Sequence, residues 1–103
     1  MKGREVIVSD EAFHDLEAAR SFYDSRENGL GEYFIDSMIA DLDSLIFFAG
    51  IHVKEYGYYK MHSKRFPYAM YYDLIGELVL VVAILDMRRN PTWLAEQIKS
   101  RKP

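Results

Sequence analysis

Five basic side chains in the second half of the chain are the strongest candidates for chemistry: Lys60, Lys64, Arg65, Arg88 and Arg89. A guanidinium presents a rigid fork of N–H donors that binds phosphate bidentately, and a lysine ammonium adds a compact positive charge. Because like charges placed opposite each other destabilise a sheet, a cluster of these residues would indicate an anionic partner. The pattern leaves an alternative open, in which they are solvated charges at strand ends, paired with Asp86 or Glu55.

Other kinds of catalytic site have little support in the sequence. His62 lies in a loop predicted between basic strands and is the only histidine placed to act as an acid or a base. Glu11 and His14 have the i, i+3 spacing of a carboxylate-bridged metal site, but no second such pair exists, which favours surface residues. The chain has no cysteine, no serine in a nucleophile elbow and no phosphate-binding glycine loop. We therefore expect neither a metal nor a cofactor.

Six tyrosines accompany the basic residues and have two possible roles. They could stack on bases beside a basic groove, but core positions and cross-strand pairs are favoured for most of them. No single tyrosine is assigned a stacking role. The six are Tyr56, Tyr58, Tyr59, Tyr68, Tyr71 and Tyr72.

A predicted β-hairpin would bring the basic residues together. A run from Lys64 to Asp73 and a run from Leu78 to Met87 flank a break at Ile75-Gly76-Glu77. If Leu74 lies near Leu78, antiparallel pairing places Lys64 and Arg65 beside Met87 and Arg88. The adjacent Arg88 and Arg89 would point to opposite faces of a strand, so both can serve one site only if the strand ends there, as the following Asn90-Pro91 indicates.

The remaining elements frame this hairpin in the order β-α-α-β-β-β-α. A strand from Arg4 to Val8 leads into a helix from about Asp10 to Arg26, and a second helix carries an apolar stripe that ends before Gly50. A strand is predicted over Glu55–Met61, and Pro91 opens a C-terminal helix capped by Asn90. The two apolar helix stripes need a sheet to cover, which predicts one α+β domain over residues 1–103.

Charge and composition agree with a cytoplasmic protein that has an anionic partner. The net charge is −3 over 103 residues, but Lys and Arg number 4 against 11 Asp and Glu up to Leu45, and 9 against 5 after it. The second half is therefore locally basic. The absence of cysteine fits a reducing compartment, no signal peptide is visible, and the apolar run Leu78–Leu85 is too short to span a bilayer.

Motifs along nearly the whole chain resemble the RelE/ParE superfamily of toxins from type II toxin–antitoxin systems, also called plasmid stabilisation proteins. The most specific are Arg65-Phe66-Pro67-Tyr68 with Tyr71-Tyr72, and Arg88-Arg89-Asn90-Pro91 with Trp93. Weaker matches are Ser9-Asp10-Glu11-Ala12 and Gly29-Leu30-Gly31 followed by Phe34. The resemblance implies a small, twisted antiparallel sheet with an N-terminal helical hairpin packed on it and a short C-terminal helix.

The resemblance also implies a function and a set of site residues. Family members cleave mRNA on the ribosome or inhibit DNA gyrase, and a cognate antitoxin neutralises them. Carried over to this chain, Arg65 and Arg88 would be the catalytic residues of the RNase branch, and Lys60, Lys64, Arg89 and His62 would bind the target or its phosphates. That branch commonly has a tyrosine near the C-terminus, whereas no tyrosine follows Tyr72 here.

Two hypotheses remain open for the activity. The chain is expected to be a toxin that acts on the ribosome or on gyrase; alternatively, it is a non-catalytic module with a toxin-like fold that only binds an antitoxin or nucleic acid. The sequence leaves the oligomeric state open.

Overall fold

The chain forms three helices and five strands in the computed structural model, which describes residues 3–101. The first and last helices begin at residues whose side chains cap them: Ser9 Oγ accepts the backbone N–H of Ala12 at 3.1 Å, and Asn90 Oδ1 accepts that of Thr92 at 2.7 Å. In chain order the elements are β1 (Glu5–Val8), α1 (Asp10–Arg26), α2 (Leu30–Phe48), β2 (Lys54–Glu55), β3 (Tyr58–His62), β4 (Tyr68–Ile75), β5 (Leu78–Asp86) and α3 (Pro91–Lys99).

The strands form one sheet in the order β1-β5-β4-β3-β2. Strands β2 to β5 are antiparallel, as predicted, but β1 runs parallel to β5, with Glu5–Val8 beside Leu78–Val81. The sheet is therefore mixed. A parallel neighbour requires a long crossover, which the helices and the intervening strands supply. The predicted α+β class, with a helical hairpin on the sheet and a short C-terminal helix, is confirmed.

The sheet separates two apolar layers. The α1–α2 hairpin covers one face, where Phe34, Met70 and Tyr72 are among the fully buried side chains. The short helix α3 covers part of the other face through Leu94 and Ile98. Helix α3 packs against β5, and on the same face of β3 Lys60 is half-buried and His62 is exposed. Most of the six tyrosines belong to these layers, as expected.

Two predicted strand boundaries were wrong. The expected single strand over Glu55–Met61 is two strands, because Tyr56 and Gly57 both have positive φ (57° and 87°) and form a tight turn between β2 and β3. The strand expected from Lys64 begins only at Tyr68. Residues 63–67 form the loop between β3 and β4.

Candidate functional site

The pairing of β4 with β5 differs from the register predicted for the basic residues. Ile75 lies opposite Leu78 at the turn, but Tyr68 lies opposite Asp86 at the far end, because β5 has an extra residue, Val82, between the partners of Tyr71 and Tyr72. Beyond the paired residues, the Met87 N–H donates to the Pro67 carbonyl at 2.8 Å. The residue beside Met87 is therefore Pro67.

Lys64 and Arg65 consequently do not lie beside Met87 and Arg88, and neither belongs to a strand. Both are exposed in the loop between β3 and β4. The Lys64 backbone N–H lies 3.4 Å from Asp41 Oδ2, and Arg65 Nη1 donates to the Tyr33 hydroxyl at 3.1 Å. Arg65 therefore contacts helix α2 through Tyr33, and it does not belong to β4, the strand that it was predicted to join.

Arg88 forms a closed ion pair with Asp86. Its backbone N–H and Nε both donate to Asp86 Oδ1 at 2.9 Å, and Nη2 donates to Oδ2 at 2.7 Å. Hydrogen bonding to the guanidinium lowers the pKa of Asp86, and the same bonds raise the pKa of Arg88. The structure therefore favours the alternative reading for this residue, a charge paired at the end of a strand.

An aromatic cluster lies between Arg65 and Arg88. The ring of Tyr33, which holds Arg65, packs on Phe66 at 5.7 Å between centroids, and Phe66 packs on Tyr23 at 5.0 Å. Tyr23 in turn packs near Tyr68, at 6.3 Å. Burial raises the pKa of Tyr68 to about 12, with smaller effects from Tyr23 and the Asp86–Arg88 pair. The two arginines therefore lie at the same end of the molecule without touching.

Lys60 and His62 lie on the other face of the sheet. Lys60 pairs with Tyr71 across the strands, and its Nζ lies 3.0 Å from Glu55 Oε1 and 5.8 Å from the centre of the Tyr71 ring. His62 is exposed at the end of β3, on the same face. Lys60 is therefore paired with Glu55, the second of the two carboxylates that the sequence indicated as possible partners.

Arg89 has a different environment from its neighbour. Its guanidinium lies 3.8 Å from the centre of the Trp93 ring at the start of α3, which is a cation–π contact. Within residues 3–101 it forms no ion pair. Arg89 and Trp93 also line a groove between α1 and α3.

The six predicted site residues therefore divide into three groups. Arg65 and Lys64 lie in the β3–β4 loop, Arg88 and Arg89 lie after β5, and Lys60 and His62 lie on the face of α3. We call the first two groups, Lys64, Arg65, Arg88 and Arg89, the basic end of the molecule. Lys60 and His62 belong to a separate surface.

Two part-buried polar contacts had no signal in the sequence. The Tyr72 hydroxyl accepts the Gly50 N–H at 2.8 Å and lies 2.6 Å from His52 Nδ1, and burial lowers the pKa of that histidine. Asp15 on α1 forms an ion pair with Arg101, 86 residues later, with both side chains largely buried. Periodicity cannot reveal either contact, because each joins residues far apart in the chain.

Metal binding and membrane insertion have no structural support in the described residues. Between residues 3 and 101, no three His, Asp or Glu side chains are grouped so that they could hold a metal ion, and Glu11 and His14 are both exposed. None of the described helices combines the length and apolarity that crossing a membrane requires.

The fold is that of a small α+β protein in which a helical hairpin packs on one sheet. A chain of a solved structure described as the chromosomal ParDE TA system from P. aeruginosa has this fold: the TM-score is 0.72 at 15% identity, over 79% of this chain and 92% of that one. No curated protein gives a significant match.

The family model for the ParE toxin of type II toxin–antitoxin systems, parDE, matches residues 6–91. The chain belongs to this family, within the RelE/ParE superfamily, and the predicted resemblance is confirmed. It is the toxin component of a type II system. Such a toxin has a cognate antitoxin as its partner.

Proposed function

We propose that this toxin arrests growth by binding DNA gyrase rather than by cleaving RNA. The observation that carries the proposal is the Arg88–Asp86 pair, in which three hydrogen bonds occupy Nε, Nη2 and the backbone N–H of Arg88. An arginine that stabilises developing negative charge on a phosphate needs its donors preorganised toward the phosphate. In this protein the Asp86 carboxylate already accepts hydrogen bonds from Nε and Nη2 of Arg88. The ParE family assignment supports the same target.

The arrangement of the other site residues supports a binding role for the basic end. RNA cleavage would require the cations and a proton carrier to converge on one phosphate. Lys60 and His62 lie on the opposite face of the sheet from the aromatic cluster that separates Arg65 and Arg88. The buried phenol of Tyr68, with a pKa of about 12, is a poor proton carrier at neutral pH.

In this proposal the basic end contacts gyrase through groups that remain exposed. Arg65 and Lys64 are exposed in the loop, and more than half of the Arg88 side chain is accessible beside its partner. Arg89, carried by the Trp93 ring, adds an oriented cation with an aromatic face. Arginine and tryptophan are the residue types that most often dominate protein interfaces. The toxin acts in the cytoplasm, where gyrase and the ribosome both lie.

The test compares two activities of the same purified toxin. Wild-type protein should inhibit gyrase supercoiling and leave mRNA on translating ribosomes intact. Arg65→Ala combined with Arg89→Ala should weaken gyrase inhibition by about tenfold or more, as expected when two interface anchors of about 1 kcal/mol or more are lost. Lys54→Ala is the control, because Lys54 is an exposed cation over the Tyr59 ring in β2, at the other edge of the sheet, and it should inhibit gyrase like wild type.

Two results would contradict the proposal. Ribosome-dependent mRNA cleavage that disappears in Arg65→Ala and Arg88→Ala would establish the RNase branch instead. A wild-type protein that binds its antitoxin but inhibits neither gyrase nor translation would establish the non-catalytic module.

The RNase branch remains a second candidate because of one surface. On the face of α3, the Lys60 ammonium lies against the Tyr71 ring, and His62 follows it at the next position on the same face. A cation and an imidazole on an open sheet face are groups that RNA cleavage can use. The Lys60→Ala and His62→Ala variants therefore belong in the mRNA assay, where the gyrase proposal expects no effect.

A further inference from the structure

The guanidinium of Arg65 is held by a neutral partner. Its Nη1 donates to the Tyr33 hydroxyl at 3.1 Å. Glu32 and Asp36 are exposed on the same helix as Tyr33, yet within residues 3–101 Arg65 forms an ion pair with no carboxylate. A phenol accepts a hydrogen bond without cancelling the charge of the donor. Arg65 therefore keeps its full positive charge, whereas the charge of Arg88 is balanced by a paired carboxylate.

The Tyr33 hydroxyl has a donor left after it binds Arg65. Its oxygen accepts the bond from Nη1, so its own proton is available, and no described residue accepts a hydrogen bond from it. A guanidinium has five N–H groups, of which this contact occupies one. Tyr33 is 47% exposed and Arg65 is exposed. The two side chains therefore present N–H and O–H donors side by side on the surface.

The pair is fixed in place through the Phe66 ring. Phe66 follows Arg65 in the β3–β4 loop, and its ring packs on Tyr23 and Phe34 of the two long helices, at 5.0 Å and 4.9 Å between centroids. The same ring packs on Tyr33 at 5.7 Å. One anchored side chain thus positions both members of the pair. A binding group that is already positioned loses less conformational entropy when its partner arrives.

We propose that Tyr33 and Arg65 together bind one carboxylate of gyrase, from an aspartate or glutamate side chain on the surface of that enzyme. The carboxylate oxygens accept a bond from the guanidinium and a bond from the phenol, both of which are short and strong when the acceptor is charged. Because gyrase is taken as the partner, this site rests on the proposed function. It adds Tyr33, which the sequence did not single out, to the residues that contact the target.

A protein carboxylate fits this pair better than the phosphates of a nucleic acid do. A nucleic-acid backbone presents a row of phosphates, and its binding depends on a row of cations. Lys64 adds one cation in the loop, but the exposed neighbours of Tyr33 on α2 include Glu32 and Asp36, which repel further phosphates. One guanidinium beside one phenol matches the charge of a single carboxylate. Tyrosine and arginine are also the residue types that most often dominate protein interfaces.

The experiment removes each donor without disturbing the aromatic cluster. Tyr33→Phe removes the O–H and keeps the ring on Phe66, and Arg65→Ala removes the guanidinium. Tyr56→Phe is the matched control, because it removes a tyrosine hydroxyl from the β2–β3 turn, at the far edge of the sheet. Circular dichroism and thermal unfolding establish that all variants are folded. Calorimetry measures the binding of each to purified gyrase without DNA, and a parallel titration uses a linear DNA duplex alone.

Tyr33→Phe should weaken gyrase binding by about threefold or more, as expected for one lost hydrogen bond. Arg65→Ala should weaken it by about fivefold or more, and Tyr56→Phe should bind like wild type. The double variant should bind within about twofold of Arg65→Ala, because the hydroxyl and the guanidinium share one carboxylate and their losses are coupled. A purely structural role of Tyr33 would not produce this coupling.

Three results would overturn the inference. The first is a Tyr33→Phe variant that binds gyrase like wild type, and the second is a double variant in which the two losses of binding free energy add. The third is wild-type binding to the DNA duplex alone that Arg65→Ala abolishes, since a phosphate would then be the ligand. Failure of the proposed function is distinguishable, because the wild type itself would then not bind gyrase, whereas failure of this site alone leaves wild-type binding intact.

Discussion

Removing the Asp15 carboxylate should destabilise this protein more than the loss of any surface charge. Asp15→Ala leaves the Arg101 guanidinium largely buried with its main partner gone, and it leaves the Ile84 N–H without an acceptor. Breaking a buried pair from one side costs about 3–5 kcal/mol, and the orphaned amide accounts for about 1–3 kcal/mol of that. The total free energy of unfolding of a domain is about 5–15 kcal/mol, so this loss is large.

The measurement is urea denaturation followed by circular dichroism, for wild type, Asp15→Ala, Arg101→Met and the double variant. Because the double variant leaves no unpaired charge, it should cost less than the sum of the single variants, with a coupling of about 2–3 kcal/mol. The control is Glu17→Ala, which breaks the Arg20–Glu17 pair on the same helix; both of those side chains are about 40% exposed. An exposed pair of this kind contributes about 0–1 kcal/mol.

A cost for Asp15→Ala no larger than that of Glu17→Ala would refute the reasoning. It would mean that water reaches Arg101 when the carboxylate is removed, so that the β5 edge is open in the free protein. If the losses of unfolding free energy in the two single variants add up to the loss in the double variant, the same conclusion follows, because the two side chains would then not depend on each other.

Two further predictions concern the other paired polar groups. Tyr72→Phe should cost about 0.5–1.5 kcal/mol in urea denaturation, because the buried Tyr72 side chain loses its hydrogen bond from the Gly50 N–H, whereas Tyr59→Phe, at the ring stacked on Tyr72, should cost less. Because the pKa of Asp86 is lowered in the folded protein, its pair with Arg88 stabilises above the unfolded pKa of about 3.9, and the contribution disappears as pH falls through the folded pKa. Asp86→Asn should therefore be less stable than wild type at neutral pH by under about 1 kcal/mol, since the pair is partly exposed, and the difference should vanish in acid; a difference that grows in acid would contradict this.

The helices and the fold class could be predicted because their signals are local. Capping residues and apolar spacing determine where a helix begins and which side it buries. The predicted span Asp10–Arg26 coincides with α1, and Gly50, with φ 99°, lies two residues after Phe48, the last residue of α2. Each of these signals lies within a few residues of the feature that it predicts.

The register of the central hairpin could not be predicted for a physical reason. β5 is apolar at every position from Leu78 to Leu85, since both of its faces are covered. A strand of that kind has no alternation to show which residue faces which layer, so the extra residue Val82 leaves no trace in the pattern. The predicted position of Arg65 beside the end of β5 depended on that register.

The basic residues show why charge counts alone overestimate an anion site. The sequence correctly identified a locally basic half, and it named Asp86 and Glu55 as possible partners. It could not show that both carboxylates are used, because the pairing depends on the end of β5 and on the turn between β2 and β3. Of the five basic residues considered from the sequence, Arg88 and Lys60 are paired, and Lys64, Arg65 and Arg89 form no ion pair within residues 3–101. They come from two separate segments, the β3–β4 loop and the residues after β5, and not from one strand pair as the predicted register required.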